Sequence, residues 1–237
     1  MKMLKTALCA AVASMAMAGA AQAQDVSFNV GVASDYIFRG LDQTFDSDGQ
    51  LFGGVDVTQD IFYGGAWLSN TGPDGDQALE YDLYAGFKPV VGGATLDLGV
   101  IFYGYTDNDL GSVSSDLNAL EFKAAASFPA GPFTLGGAAY YSPDNGGFLD
   151  ESTLYIEANG AYTFEGGPTI SAAIGNFSID NFAPVDSYTT WNAGITFPIG
   201  EKFSIDARYH GSDDDAELLT NADIADDHFV LTGKVVF

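Results

Sequence analysis

DHFVLTGKVVF, residues 227–237, alternates without a break from Phe229 onward. Phe229, Leu231, Gly233, Val235 and Phe237 share one parity, and Val230, Thr232, Lys234 and Val236 share the other. Successive side chains of an extended chain point to opposite faces, so the segment is a strand with one continuously apolar side and one side that carries a lysine. Such a strand belongs at a boundary between an apolar and a polar medium.

The same pattern recurs upstream. VSFNVGVASDYIFRG, residues 26–40, places Val26, Phe28, Val30, Val32, Tyr36 and Phe38 in one phase and Ser27, Asn29, Asp35 and Arg39 in the other, which predicts one long first strand. Leu79, Tyr81, Leu83, Ala85 and Phe87 alternate with Glu80, Asp82 and Tyr84. After the turn PVVGG, Leu96, Leu98, Val100 and Phe102 alternate with Thr95, Asp97 and Tyr103, the clearest hairpin in the chain. In IFYGGAWLS both faces are apolar or glycine, and Phe62, Ala66 and Leu68 are assigned outward. Further strands centre on Val55, Phe122, Phe133, Ile156, Ile174, Ile195 and Ile205, giving about twelve strands, the even number that single-chain bacterial barrels use. Turns of about two to five residues alternate with loops of about eight to seventeen, which puts both termini at the short-turn end.

Composition agrees. The 237 residues include 18 Phe, 12 Tyr and 29 Gly, and no apolar run after the N-terminus reaches the ~18 residues of a membrane helix. Lys2 and Lys5, an apolar run over 7–18 and the small-residue site Ala21-Gln22-Ala23 read as a cleaved secretory signal peptide, residues 1–23, ahead of a single barrel domain over 24–237. Cys9, the only cysteine, would leave with it, so no disulfide or thiolate metal site is expected in the mature chain. Loss of Lys2 and Lys5 would leave 6 of the 8 basic residues against 32 acids, moving the formal charge from -24 to -26. So acidic a chain repels phosphate backbones, which argues against nucleic acid as a partner.

Within the strands, Asp35, Arg39, Asp56, Glu80, Asp82, Lys88, Asp97, Glu121, Lys123, Glu157, Asp206, Arg208 and Lys234 all fall opposite the apolar parity. A Lys or Arg facing lipid at mid-bilayer costs about 2–4 kcal/mol, and that penalty gives the pattern a cause. Phe87, Phe128, Phe133, Phe164, Phe197, Phe203 and Phe237 lie outward near short turns, and Tyr36, Phe38, Phe102, Tyr141 and Tyr209 outward near long loops, as two interfacial girdles would. The expected fold is therefore all-β: a transmembrane antiparallel up-and-down β-barrel. The competing architecture is a soluble sandwich or lipocalin-like barrel, with the apolar phase inside and the charges outside.

For chemistry, the candidate residues are pore-lining: Asp35, Arg39, Asp56, Glu80, Asp82, Asp97, Glu121, Lys123, Glu157, Asp206, Arg208 and Lys234. Asp35 and Arg39 read either as an ion pair holding the first strand in register or as part of a constriction. The excess of acids over bases predicts a weak cation preference, with a hydrated inert wall as the alternative. Inward Tyr84, Tyr103, Tyr105, Tyr140 and Tyr155 suggest a narrow bore. Asp213, Asp214, Asp215 and Glu217 supply oxygen donors but lack EF-hand spacing, so no metal and no cofactor are expected. His210 and His228 could act as bases beside Ser178 or Ser212, yet no nucleophile elbow frames either serine, and no catalytic residue or enzymatic activity is assigned.

Two resemblances sharpen this reading. An amphipathic last strand ending in Phe resembles the closing strand of bacterial outer-membrane barrels, where it is the signal read by the assembly machinery. VASDYIFRGLDQT, residues 32–44, is similar to the VASDY-[VI]-FRG-x-x-QT signature of the TorF family, barrels classed as porins by their architecture. Residues 79–86 and FPIGEKFSIDARYH, residues 197–210, also resemble that family. The resemblance implies a porin-like barrel and no particular substrate; taken with the strand pattern, the expected role is a passive pore for small hydrophilic solutes in the outer membrane of a Gram-negative cell, with outer-membrane lipid, lipopolysaccharide and, through Phe237, the assembly machinery as partners.

Overall fold

The computed structural model describes residues 25–44, 49–72, 78–106, 118–146, 151–220 and 223–237. The expected signal peptide, residues 1–23, and most of the acidic loop 106–116 lie outside them. Twelve long strands form the fold: β1 (Asp25–Ala33), β2 (Gln50–Gln59), β3 (Phe62–Thr71), β4 (Ala78–Phe87), β5 (Ala94–Tyr105), β6 (Ala119–Ala130), β7 (Phe133–Ser142), β8 (Thr153–Thr163), β9 (Thr169–Ile179), β10 (Ser187–Ile199), β11 (Phe203–Ser212) and β12 (His228–Val236). Each pairs antiparallel with its neighbours in sequence, and β1 pairs with β12, for example Val30 with Val235. The ring is closed, so no strand keeps an unpaired edge.

The phase read from the sequence matches the exposure pattern. Phe28 is 54% and Leu231 53% exposed, while the opposite parity carries side chains that bond across the interior. Phe62 and Leu68 are exposed on β3, as assigned. Phe87, Phe128, Phe133, Phe164, Phe197 and Phe237 are exposed outward near short turns, and Tyr141 and Tyr209 near the loop end. Phe102 keeps outward parity but is only 8% exposed, its ring 6.2 Å from that of Tyr81. At the turn joining β4 to β5, Gly92 and Gly93 have φ of 61° and 85°, the signature of a type I′ hairpin turn.

The predicted first strand is corrected. β1 ends at Ala33, and 34–44 leaves the wall to fold inward as a small hairpin whose strands are Ile37–Phe38 and Leu41–Asp42. Tyr36 and Phe38, assigned outward, instead face wall rings inside the barrel, Tyr36 at 5.7 Å from Trp67 and Phe38 at 6.0 Å from Tyr103. The alternation continues past Ala33, so parity alone does not reveal the exit. Polar side chains take over from the strand ladder at the exit: the Tyr36 N–H donates to Asp35 Oδ1 at 2.8 Å, and across the seam the Leu231 N–H on β12 donates to Ser34 Oγ at 3.0 Å.

The last long connection is not plain loop either. It contains a helix, α1 (Asp214–Thr220), and a 3-10 turn (Asp223–Ala225). Three acids in the first turn of α1 suit the positive end of its dipole. Ala216 and Ala225 join Tyr155, Phe177, Ile179 and Tyr188 in an apolar cluster at the loop end, with Leu41 of the inner hairpin packed against it.

Candidate functional site

The inner hairpin lies across the bore at the loop end. At its base, Asp35 Oδ2 sits 2.8 Å from His228 Nδ1 on β12, and Thr44 Oγ1 donates to Asp35 Oδ1 at 2.6 Å. Burial outweighs the Thr44 hydrogen bond and holds the Asp35 carboxyl above its ordinary pKa. Midway, the Tyr36 hydroxyl donates to Glu80 Oε1 on β4 at 3.0 Å. At the tip, Arg39 donates two hydrogen bonds to Glu121 on β6, at 2.6 and 2.9 Å, and its carbonyl accepts one from the Tyr188 hydroxyl on β10 at 3.0 Å.

The tip turn has Arg39 at φ 51° and Gly40 at φ 81°, both left-handed. Gly40 is needed twice over, since a Cβ there would stand 2.6 Å from Thr190 Oγ1. For Arg39 the conformation costs about 1 kcal/mol or more, which its contacts must offset. Those contacts are dense. The guanidinium carbon lies 4.6 Å from the ring centre of Tyr155, 4.7 Å from Phe38, 5.0 Å from Tyr140 and 5.8 Å from Phe177. The side chains of Arg39 and Glu121 are 8% and 3% exposed, so this is a buried, bidentate ion pair. The Tyr103 hydroxyl donates to Glu121 Oε2 at 3.0 Å and fixes the carboxylate plane. A cavity of about 260 Å³ adjoins the pair, bordered by Arg39, Glu121, Glu80, Tyr105 and Tyr188.

The predicted Asp35–Arg39 ion pair does not form. The two residues sit at opposite ends of the hairpin, and each finds its partner elsewhere, His228 and Glu121. Neither belongs to a wall strand, as the sequence reading assumed.

The other predicted residues lie on the wall with inward parity. Asp97 accepts from Lys123 at 2.7 Å and from the Tyr63 hydroxyl at 2.7 Å, with Lys88 at 3.7 Å. Asp56 accepts from the Tyr84 hydroxyl at 2.6 Å. Glu157 accepts from Tyr155 and Asn159. Arg208 joins Asp206, Asn192 and Ser171 in one network on β9 to β11. Lys234 faces the same side on β12, in register with Ser204. Asp82 differs from these: its Oδ1 is buried and has no hydrogen-bond partner among the described residues.

Sequence reasoning missed several participants: Phe38, Phe177 and Tyr188 around Arg39, Tyr36 against Trp67 and Glu80, and Asp42, which with Asp35 and His228 brings three donor atoms within 4.8 Å of one another. The Arg39-Gly40 pair, a left-handed tip within an otherwise alternating run, was the available signal for the turn. Asp213, by contrast, accepts from the Thr189 N–H at 2.9 Å and anchors the start of α1. Ser178 and Ser212 donate to the carbonyls of Leu154 and Ala225.

Comparison with known proteins places this geometry in context. The model of a family described as a bacterial protein of unknown function, Gcw_chp, matches residues 17–237. No curated protein matches. Among solved structures, the KdgM porin aligns with a TM-score of 0.58 at 7% identity, covering 91% of this chain and 98% of that one. The NanC porin aligns with a TM-score of 0.53 at 9% identity, covering 90% and 98%. An outer membrane channel from Pseudomonas putida F1 aligns at 0.52 and 14% identity, covering 90% and 93%. At such identities the likeness is one of fold.

Proposed function

We propose that this chain, which belongs to the Gcw_chp family of bacterial proteins of unknown function, is an outer-membrane pore for passive diffusion of small hydrophilic solutes, with a weak preference for cations. The observation that carries the reading is the radial order of the barrel: apolar side chains outward on every long strand, and acidic and basic ones inward, among them the pairs Lys123–Asp97 and Arg208–Asp206 and the tyrosine-bonded Asp56. Only a hydrocarbon exterior and a polar interior make that arrangement favourable. The TorF-like signature and the porin and channel folds it resembles are in keeping with it. Transport of this kind needs no cofactor and no covalent step, and no enzymatic role is proposed.

The hairpin tip narrows the bore, and the tyrosines beside it make the path small. The net acidity of the wall supplies the cation bias, since a solute crossing a low-dielectric bore feels fixed charges strongly. Outward aromatics seat the barrel in lipid, the acidic loop end faces lipopolysaccharide, and Phe237 serves as the assembly signal.

A second reading is favoured by one specific feature, the apolar cluster and hairpin that fill the loop end. It is a non-conducting structural or surface-binding barrel. Planar-bilayer recording separates the two. Resolved openings, with a cation bias reduced in Glu80→Gln plus Asp82→Asn, support the pore; silence from correctly folded protein supports the closed barrel.

A further inference from the structure

The guanidinium of Arg39 is held almost entirely by the wall. Glu121 on β6, Tyr140 on β7, Tyr155 on β8 and Phe177 on β9 converge on it from four consecutive strands, and Tyr103 on β5 orients the carboxylate. Apart from Arg39 itself, only Phe38 comes from the hairpin. The wall is thus a complete receptor for a planar cation, a carboxylate fork at the edge and aromatic faces around it, and Arg39 arrives as its ligand. It arrives at a cost, because the turn that delivers it holds a non-glycine residue at φ 51°. A free guanidinium would not carry that cost, and the adjoining cavity of about 260 Å³ gives room for the remainder of a small molecule.

We infer that this wall site recognises small solutes bearing a guanidinium group, and that Arg39 occupies it as a tethered stand-in which such a solute displaces. The inference rests on the pore reading for the route by which the solute arrives. It does not rest on it for the recognition, which is a property of the wall. The preference over a simple ammonium follows from geometry: two parallel N–H donors match the two Glu121 oxygens, and a flat delocalised cation lies against rings where a hydrated point charge does not.

The test vacates the receptor without spoiling the turn. Arg39→Gly places glycine at a left-handed position that glycine adopts readily. The folded variant, checked by its β-sheet circular dichroism in detergent, is titrated calorimetrically with methylguanidinium, with methylammonium as the control. The expected result is saturable one-to-one binding, weakened at least about tenfold for methylammonium and in Arg39→Gly plus Glu121→Gln. Should Arg39→Gly fail to fold, Arg39→Lys leaves a weaker tethered cation for methylguanidinium to displace, and the same loss on adding Glu121→Gln is expected. Folded protein that shows no saturable binding, or binding indifferent to Glu121, overturns the inference. Bilayer recording is scored apart: binding with electrical silence rejects the pore and keeps the receptor, and conduction without binding rejects the receptor alone.

Discussion

Arg39 and Glu121 stand 82 residues apart in the chain and share two parallel hydrogen bonds of 2.6 and 2.9 Å inside the barrel. Both side chains are nearly removed from solvent, so their mutual attraction offsets a large desolvation penalty only while both are present. Glu121→Gln should therefore destabilise the folded barrel by about 3 kcal/mol, because it strands a buried guanidinium. Urea unfolding in detergent measures this, and a loss below ~1 kcal/mol would mean that water reaches the pair freely.

Removing the other partner tests the bore. Arg39→Ala shortens the side chain that fills the space between hairpin and wall, and single-channel conductance should rise above that of the wild type. Unchanged conductance from openings of the same frequency would place the narrowest point elsewhere.

Selectivity should depend on which acids lack a counter-charge. Asp97 is flanked by Lys123 and Lys88, whereas Asp56 accepts from the Tyr84 hydroxyl and has no basic side chain within salt-bridge distance among the described residues. Asp56→Asn should lower the cation-to-anion permeability ratio more than Asp97→Asn does. Reversal potentials across a potassium chloride gradient give the ratio, and the opposite ranking would count against an electrostatic origin for the bias.

Adjacent residues on β12 test the inside-outside assignment. Leu231 points outward and Thr232 inward, in register with Asp206. Leu231→Arg should cost about 2–4 kcal/mol of stability in a lipid bilayer, while Thr232→Arg, placed beside a carboxylate, costs far less. Equal costs would contradict a hydrocarbon exterior.

At the hairpin base, burial keeps the Asp35 carboxyl above its ordinary pKa. A raised folded-state value means that the folded protein holds this proton more tightly than the unfolded chain. Its stabilising contribution is full below pH ~4 and fades as pH rises through the raised value. Asp35→Asn cannot titrate, so the fall in stability between pH 4 and pH 7 should be shallower in the variant. Parallel pH slopes for the two proteins would show that another group governs the range.

Much of this molecule is written along its strands. Period-two alternation, the single parity of the charged residues along the wall strands and the alternation of short and long connections suffice for the strand count, the order of pairing and the face each wall residue takes, because a side-chain period of two leaves only two choices per strand. The phase of β3, where both faces are small or apolar, is the weakest of these signals, and it too agrees with the exposure of Phe62 and Leu68.

The candidate site was legible only in part. Arg39 and Glu121 could each be placed in the interior, but not against each other. Over 34–38 nothing local distinguishes the run from a continuing strand, since Tyr36 and Phe38 keep the apolar parity of β1 after the chain has left the wall, and the Arg39-Gly40 step alone hints at a turn.

The sequence by itself determined the barrel, since closing a ring of amphipathic strands needs only local alternation and a lipid-like exterior. Only the tertiary structure decided what stands in the bore. The partners of Arg39 come from strands 82 to 149 residues away, and a hairpin turns inward when distant groups can satisfy its buried charge and hydroxyls together, a condition no stretch of eleven residues can express.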